Sequence, residues 1–167
     1  PNHLKVESFD FLYDRAEDFA DVYRGIAERV VELGERSQGV VYAVPGHPLV
    51  GEATVSEILG LARERALDVR IVEGLSFVAP TLTALEIDAL AGLQIVDAME
   101  VASSHHPSLN PNLPALLGQL HSRSVAAAVK LTLMNEYPDE HEVVLVHAAG
   151  TEAERVERRL LYQLDRP

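Results

Sequence analysis

Residues 40–72, VVYAVPGHPLVGEATVSEILGLARERALDVRIV, decide the fold. Val40 to Val44 is a short apolar run rich in β-branched residues, which predicts a buried strand. Pro45-Gly46-His47-Pro48 is a turn. Val55, Ile58, Leu59, Ala62 and Ala66 then recur at three- and four-residue steps, the period of one apolar helix face. Val69 to Val72 is a second short strand. Strand, helix and strand at this spacing make a βαβ unit, with parallel strands and a right-handed crossover.

Outward from that unit the alternation continues. On its N-terminal side Phe19, Val22, Tyr23, Ile26, Val30 and Leu33 mark one face of a helix over about residues 16–35, broken by Gly39. On its C-terminal side Gly74-Leu75-Ser76 opens a helix to about Leu85, and Leu93 to Asp97 reads as a strand. Residues 103–114 are polar and proline-rich, hence a loop. Leu116 to Leu120 is a candidate strand, Ser124 to Asn135 a helix and Val143 to His147 a strand. Thr151 with Glu154 reads as a capping box opening a helix to about Arg159, with Leu160 to Leu164 as a last strand. The fold class is therefore α/β, with two lobes, 1–89 and 90–167, linked through Ile87-Asp88-Ala89-Leu90. Ligands of such sheets bind beyond the carboxyl ends of strands. The loops 45–51, 73–77, 103–114, 119–122 and 148–151 are the ones to inspect.

Composition narrows the function classes. The 167 residues carry 14 basic and 26 acidic side chains, a net charge of −12, so nucleic acid is an unfavoured partner. Hydrophobic residues at 47% and charged residues at 24% are those of a folded chain. Without cysteine there is no disulfide scaffold, thiolate metal site or cysteine nucleophile, which fits a reducing, cytoplasmic setting. No apolar run is long enough to span a membrane.

Three loops bear chemistry. Gly46 lets a backbone approach a ligand closely, and the helix start beyond it favours a negative group; the same turn also reads as a strand-to-helix connection stiffened by two prolines. Ser76 either caps the following helix or offers a hydroxyl to a ligand. Ala148-Ala149-Gly150 admits an adenine or ribose at close range, or simply makes a tight turn. There is no GxxxxGK[ST], GxGxxG, Gly-x-Ser-x-Gly or HExxH pattern. His47, His121 and His147 fall at predicted strand ends, but without carboxylates at telling spacing no metal site is assigned.

Taken in order, VVYAVPGHPLVGEATVSEIL, VRIVEGLSF, LQIVDA and LLGQLHSRSVAAAVKLTLMNEYPDEHEVVLVHAAGT resemble the tetrapyrrole (corrin/porphyrin) methylase family. Within it the chain looks most like the methylase-like domain fused ahead of a MazG-type nucleotide pyrophosphohydrolase. The resemblance runs from about Phe9 to Asp165. It implies a two-lobed α/β fold that binds S-adenosylmethionine, usually as a homodimer, and transfers its methyl to a tetrapyrrole-like or other small acceptor. The family's Gly-Asp-Pro turn corresponds to Gly46-His47-Pro48, preceded by Pro45 and followed by Val50. Its Pro-Gly-x-Ser turn corresponds to Glu73-Gly74-Leu75-Ser76, which implies Ser76 and Phe77 beside the methionine or ribose. Leu120, Ala148 and Ala149 are implied near the adenosine, with Leu161 in the last segment.

Two departures bear on activity. The family opens with a strand and a GxGPG loop, and this chain opens where that segment would already have passed. Histidine replaces aspartate at position 47. Methyl transfer needs chiefly an electrophilic methyl held in line with a nucleophile, so no catalytic residue is named. The alternative expectation is a non-catalytic S-adenosylmethionine-binding module that regulates or assembles a fused pyrophosphohydrolase. Metal-dependent hydrolysis through the three histidines is the remote third.

Overall fold

The computed structural model describes residues 6–13 and 19–166 and is mixed α/β. By compactness it divides into Pro1–Leu75 and Ser76–Pro167, each with its own core.

In the first unit, helices α2 (Phe19–Gly34) and α3 (Ala53–Glu64) follow the periodicity read from sequence, and a short helix α1 (Asp10–Tyr13), which that reading did not contain, precedes them. The predicted start of α2 near residue 16 lies outside the described residues. Val22, Ile26, Ala27, Val30 and Val31 of α2 are buried together with Ile58 of α3. The stripe is i, i+4, i+8 with neighbours, so one face of α2 leaves water and the opposite face stays charged. Helix α3 ends in a Schellman motif: Leu67 N–H donates to the Ala62 carbonyl and Ala66 N–H to that of Arg63. Ala66 takes the left-handed conformation (φ 52°) usual for glycine there, and Leu67 packs on the core.

The two strands expected in this unit are not formed. Val40–Val44 and Val69–Val72 have no regular secondary structure and join no ladder among the described residues. A strand is completed by a partner, and β-branched composition records only how well side chains suit a sheet. Val41 is 92% exposed and Val72 70%, so neither run is the buried strand its composition predicts. Tyr42 is the exception: its hydroxyl hydrogen-bonds Thr54 Oγ1 at 3.2 Å and its ring meets Phe9 edge-on.

The second unit contains α4 (Val78–Leu85), β1 (Gln94–Asp97), α5 (Ala98–Ser103), β2 (Ala115–Gly118), α6 (Arg123–Leu133), β3 (Glu142–His147) and β4 (Arg155–Leu160). Strands β1 and β2 pair in parallel, Gln94 with Ala115 through Asp97 with Gly118. Strands β3 and β4 form an antiparallel hairpin, Glu142 with Leu160 through His147 with Arg155. The core gathers Ala98 and Val101 of α5, Ala126, Val129 and Leu133 of α6, and Leu161 and Leu164.

Three local readings change here. Thr151 and Glu154 do not open a helix. The Glu154 carboxylate accepts the Gly150 N–H at 2.7 Å and the Thr151 hydroxyl donates to the Ala148 carbonyl, which closes the β3–β4 loop. Arg155–Leu160 is therefore a strand, and its bases do not end a helix. Leu160–Leu164 is not a strand: Leu161–Gln163 is a 3-10 turn that puts Leu161 and Leu164 into the core. Residues 98–103 are helical because the Asp97 side chain accepts the Met99 N–H at 2.7 Å, a cap placed directly after a strand.

Candidate functional site

In the first unit Pro45, Gly46, His47 and Val50, the candidates from sequence, lie on the turn that follows residues 40–44. Gly46 has φ +79° and Gly51 φ +77°, both left-handed. Between them the chain closes on His47: its carbonyl accepts the Val50 N–H at 3.0 Å and its Nδ1 accepts the Leu49 N–H at 3.1 Å. Accepting at Nδ1 fixes the ring and leaves Nε2 as the protonated nitrogen of the neutral form. Gly74 packs directly on this turn, and a methyl group there would overlap the Gly46 carbonyl oxygen. The turns at 45–51 and 73–75 thus touch backbone to backbone, which only glycine at 74 permits. Pro45 and Gly46 are exposed, while His47 and Val50 are half-buried.

In the second unit the Ser76 hydroxyl accepts the Val78 N–H at 3.3 Å, at the first residue of α4. The neighbouring Phe77 ring lies over the end of β2. A Cβ on Gly118 would stand 2.8 Å from Phe77 Cζ, so the glycine makes the seat for the ring. Phe77, Leu120, Ala148, Ala149 and Leu161 all line one cavity of about 760 Å³. That volume is within the ~300–1,000 Å³ of small-molecule sites. Leucine and valine dominate its wall; among the described residues no lysine or arginine reaches it, and the one acidic residue, Glu142, is paired with Arg158. Such a wall takes an uncharged apolar body and disfavours an unpaired charge of either sign.

At two residues of this wall the backbone conformation had no signal in the sequence. Gln119, just past β2, has φ 63°, and Ala148, just past β3, has φ 49°. Left-handed backbone at a non-glycine residue is uncommon and costs on the order of 1 kcal/mol. Both line the cavity where their strands end. A glycine would have announced either bend; a glutamine and an alanine do not. Gly118 carried the one legible hint, a glycine inside a strand where something approaches closely. No group of three histidine, aspartate or glutamate side chains is placed to hold a metal ion among the described residues. Nor, among them, is any helix long and apolar enough to cross a membrane.

Known proteins share this sequence and fold. The family model of Tetrapyrrole (Corrin/Porphyrin) Methylases matches residues 2–165. Uncharacterized protein YabN of Bacillus subtilis (strain 168) is 38% identical over 161 residues, 96% of this chain and 32% of that protein. The chain thus spans about a third of that curated relative's length. Among solved structures, uroporphyrin-III C-methyl transferase from Thermus thermophilus complexed with S-adenyl homocysteine superposes with a TM-score of 0.52 at 18% identity, covering 89% of this chain and 66% of that one. Its native form gives 0.50 at 18% identity, over 87% and 63%. At this identity the likeness is one of fold.

Proposed function

Since the chain belongs to the tetrapyrrole (corrin/porphyrin) methylase family, we propose that it is an S-adenosylmethionine-dependent methyltransferase domain acting on a small acceptor. The observation that carries this reading is that five residues implied by the family resemblance, Phe77, Leu120, Ala148, Ala149 and Leu161, line a single cavity. The chemistry of the wall fits the cofactor. Ala148 and Ala149 leave room for an adenine, and Phe77 offers a ring face to a sulfonium cation. In the first unit, the Gly46–His47 turn and Gly74 present backbone at close range, which suits a ligand held by main-chain groups.

When bound, S-adenosylmethionine supplies an electrophilic methyl group. The chain's own work is positioning: excluding water with leucine and valine, orienting the adenosine against Ala148 and Ala149, and holding the acceptor in line. The acceptor is a tetrapyrrole or another small molecule, and the active form is a homodimer. The test is calorimetry with S-adenosylhomocysteine. Binding in the micromolar range, weakened at least about tenfold (~1.4 kcal/mol) by Ala149→Leu, is expected. Absence of binding by both S-adenosylmethionine and S-adenosylhomocysteine overturns the proposal.

One observation favours a second reading. The chain spans about a third of a 38%-identical relative, so in that protein the matching region is one part of a larger whole. We infer in that case a cofactor-binding module that regulates an attached nucleotide pyrophosphohydrolase of the MazG type. Pyrophosphohydrolase rates of the full-length relative with and without S-adenosylmethionine decide it. Identical rates reject the regulatory role.

A further inference from the structure

The turn at His47 is closed by an imidazole where this chain elsewhere uses a carboxylate or an amide. Asp88 accepts the Leu90 N–H at 2.9 Å, Asp97 the Met99 N–H at 2.7 Å and Asn110 the Asn112 N–H at 3.0 Å. His47 makes the same closure, accepting the Leu49 N–H, also two residues on, at 3.1 Å. Aspartate and asparagine are the usual residues for it. Imidazole Nδ1 can stand in because it is bonded to Cγ, as a carboxylate oxygen of aspartate is. The His47 carbonyl meanwhile accepts the Val50 N–H at 3.0 Å, which closes a β-turn with Pro48 at its second position, where a fixed φ is favoured. Pro48 has no N–H, so Leu49 and Val50 carry the donors of this turn, and His47 holds both.

One property separates His47 from the other three closures. Aspartate and asparagine stay acceptors in mild acid. An imidazole takes a proton on its free nitrogen between about pH 8 and pH 5 and becomes a donor on both sides. At Nδ1 that proton would meet the Leu49 N–H, donor against donor. No carboxylate compensates it: among the described residues His47 enters no ion pair. The charged groups on the segments that border the turn are Glu52, at the head of α3, and Glu73, next to the Gly74 that packs on Gly46. Burial raises the Glu52 carboxyl above its usual range, so Glu52 is the second group able to titrate beside the turn.

We propose that His47 is a positioning residue whose neutral imidazole latches the 46–50 turn, and that its protonation releases the turn and weakens ligand binding there as pH falls. The binding half of this inference rests on the cofactor reading above; the latch itself does not.

The test joins two readouts on the 167-residue chain. The first needs no ligand: the imidazole ¹⁵N shifts of His47, and the exchange protection of the Leu49 amide relative to its intrinsic rate. At about pH 7.5 the proton should sit on Nε2. Towards about pH 5, Leu49 protection should fall about threefold or more, in step with protonation of Nδ1. His47→Asn, whose amide oxygen accepts the same N–H and does not titrate, should keep its protection throughout, and His47→Ala should lack it at both values. The second readout is S-adenosylhomocysteine affinity by calorimetry. It should weaken about three- to tenfold over the same range, the worth of one hydrogen bond, in the native chain and in Glu52→Gln, but not in His47→Asn. Three results overturn the latch: the proton on Nδ1 at about pH 7.5, Leu49 protection as low in His47→Asn as in His47→Ala, or a pH dependence of affinity that His47→Asn keeps and Glu52→Gln loses. If S-adenosylhomocysteine binds at neither pH the cofactor reading fails, and the ¹⁵N shifts and the Leu49 amide decide the latch by themselves.

Discussion

Gly118→Ala tests whether the glycine in β2 exists to seat the Phe77 ring. The added Cβ would lie 2.8 Å from Phe77 Cζ and 3.3 Å from Cε1. Carbon atoms sit comfortably at about 3.5–4.0 Å, so the ring tip must retreat by about 0.7 Å or more. The obstructing atom is the free end of a side chain already 39% exposed, so the ring swings outward and the strand holds. Full burial of a phenylalanine is worth about 1.5–3 kcal/mol, and Phe77 has roughly 60% of that to lose, about 1–2 kcal/mol. Replacing a strand glycine returns about 0.5–1 kcal/mol of backbone entropy. The net expectation is a destabilisation of about 0.5–1 kcal/mol, a Tm lower by about 1–4 °C for a chain of this size. In a Phe77→Ala background the clash is absent and Gly118→Ala should be stabilising, giving a coupling of about 1–2 kcal/mol in the double-mutant cycle. Thermal unfolding of the four proteins measures it. S-adenosylhomocysteine affinity of Gly118→Ala should fall about tenfold, because the ring leaves the cavity wall. A coupling below about 0.3 kcal/mol would refute the seating argument, since additivity means the ring and the glycine do not meet.

Three further outcomes are expected. Gly74→Ala should cost about 1–3 kcal/mol and abolish tight ligand binding, because the new methyl meets the Gly46 carbonyl and backbone cannot swing away; unchanged unfolding and binding would contradict it. Gln94→Leu removes a side chain that donates to the Asn110 and Leu113 carbonyls and accepts the Asn110 N–H at 2.7 Å. It should cost about 1–2 kcal/mol and speed exchange of the Asn110 amide, which anchors the loop on the cavity wall; an unaltered exchange rate is the contrary result. The Lys130 ammonium, 2.7 Å from Asp165, holds that carboxyl below its usual 3.8. The folded value is depressed, so the stabilisation is complete above the ordinary aspartate range and fades as pH falls below it. Lys130→Met should therefore lower Tm at pH 7 more than at pH 3, and equal losses at both would refute the pairing.

The helices were the most legible part of this protein. Phe19 to Leu33, Val55 to Ala62 and Val125 to Leu133 repeat at helical spacing, and a helix closes its hydrogen bonds within its own segment. Strands need a second segment, and there the reading split. LQIVD and VVLVH became β1 and β3, while VVYAV and VRIV, equally β-branched, pair with no strand among the described residues. Arg155–Leu160 became a strand without an apolar pattern, because the Gly150–Glu154 contact turned the chain back along β3.

For the site, the sequence by itself determined the residue types. Glycines stand at 46 and 74, small residues at 148 and 149, and an aromatic residue at 77, each following from what a close ligand tolerates. Only the tertiary structure decided which of them meet. It put Gly74 against Gly46, seated Phe77 on Gly118, bent Gln119 and Ala148 into the left-handed region, and brought β2 and β3 to one cavity. Backbone conformation at a single non-glycine residue and the pairing of distant strands are settled by packing across the chain, and no local periodicity encodes them.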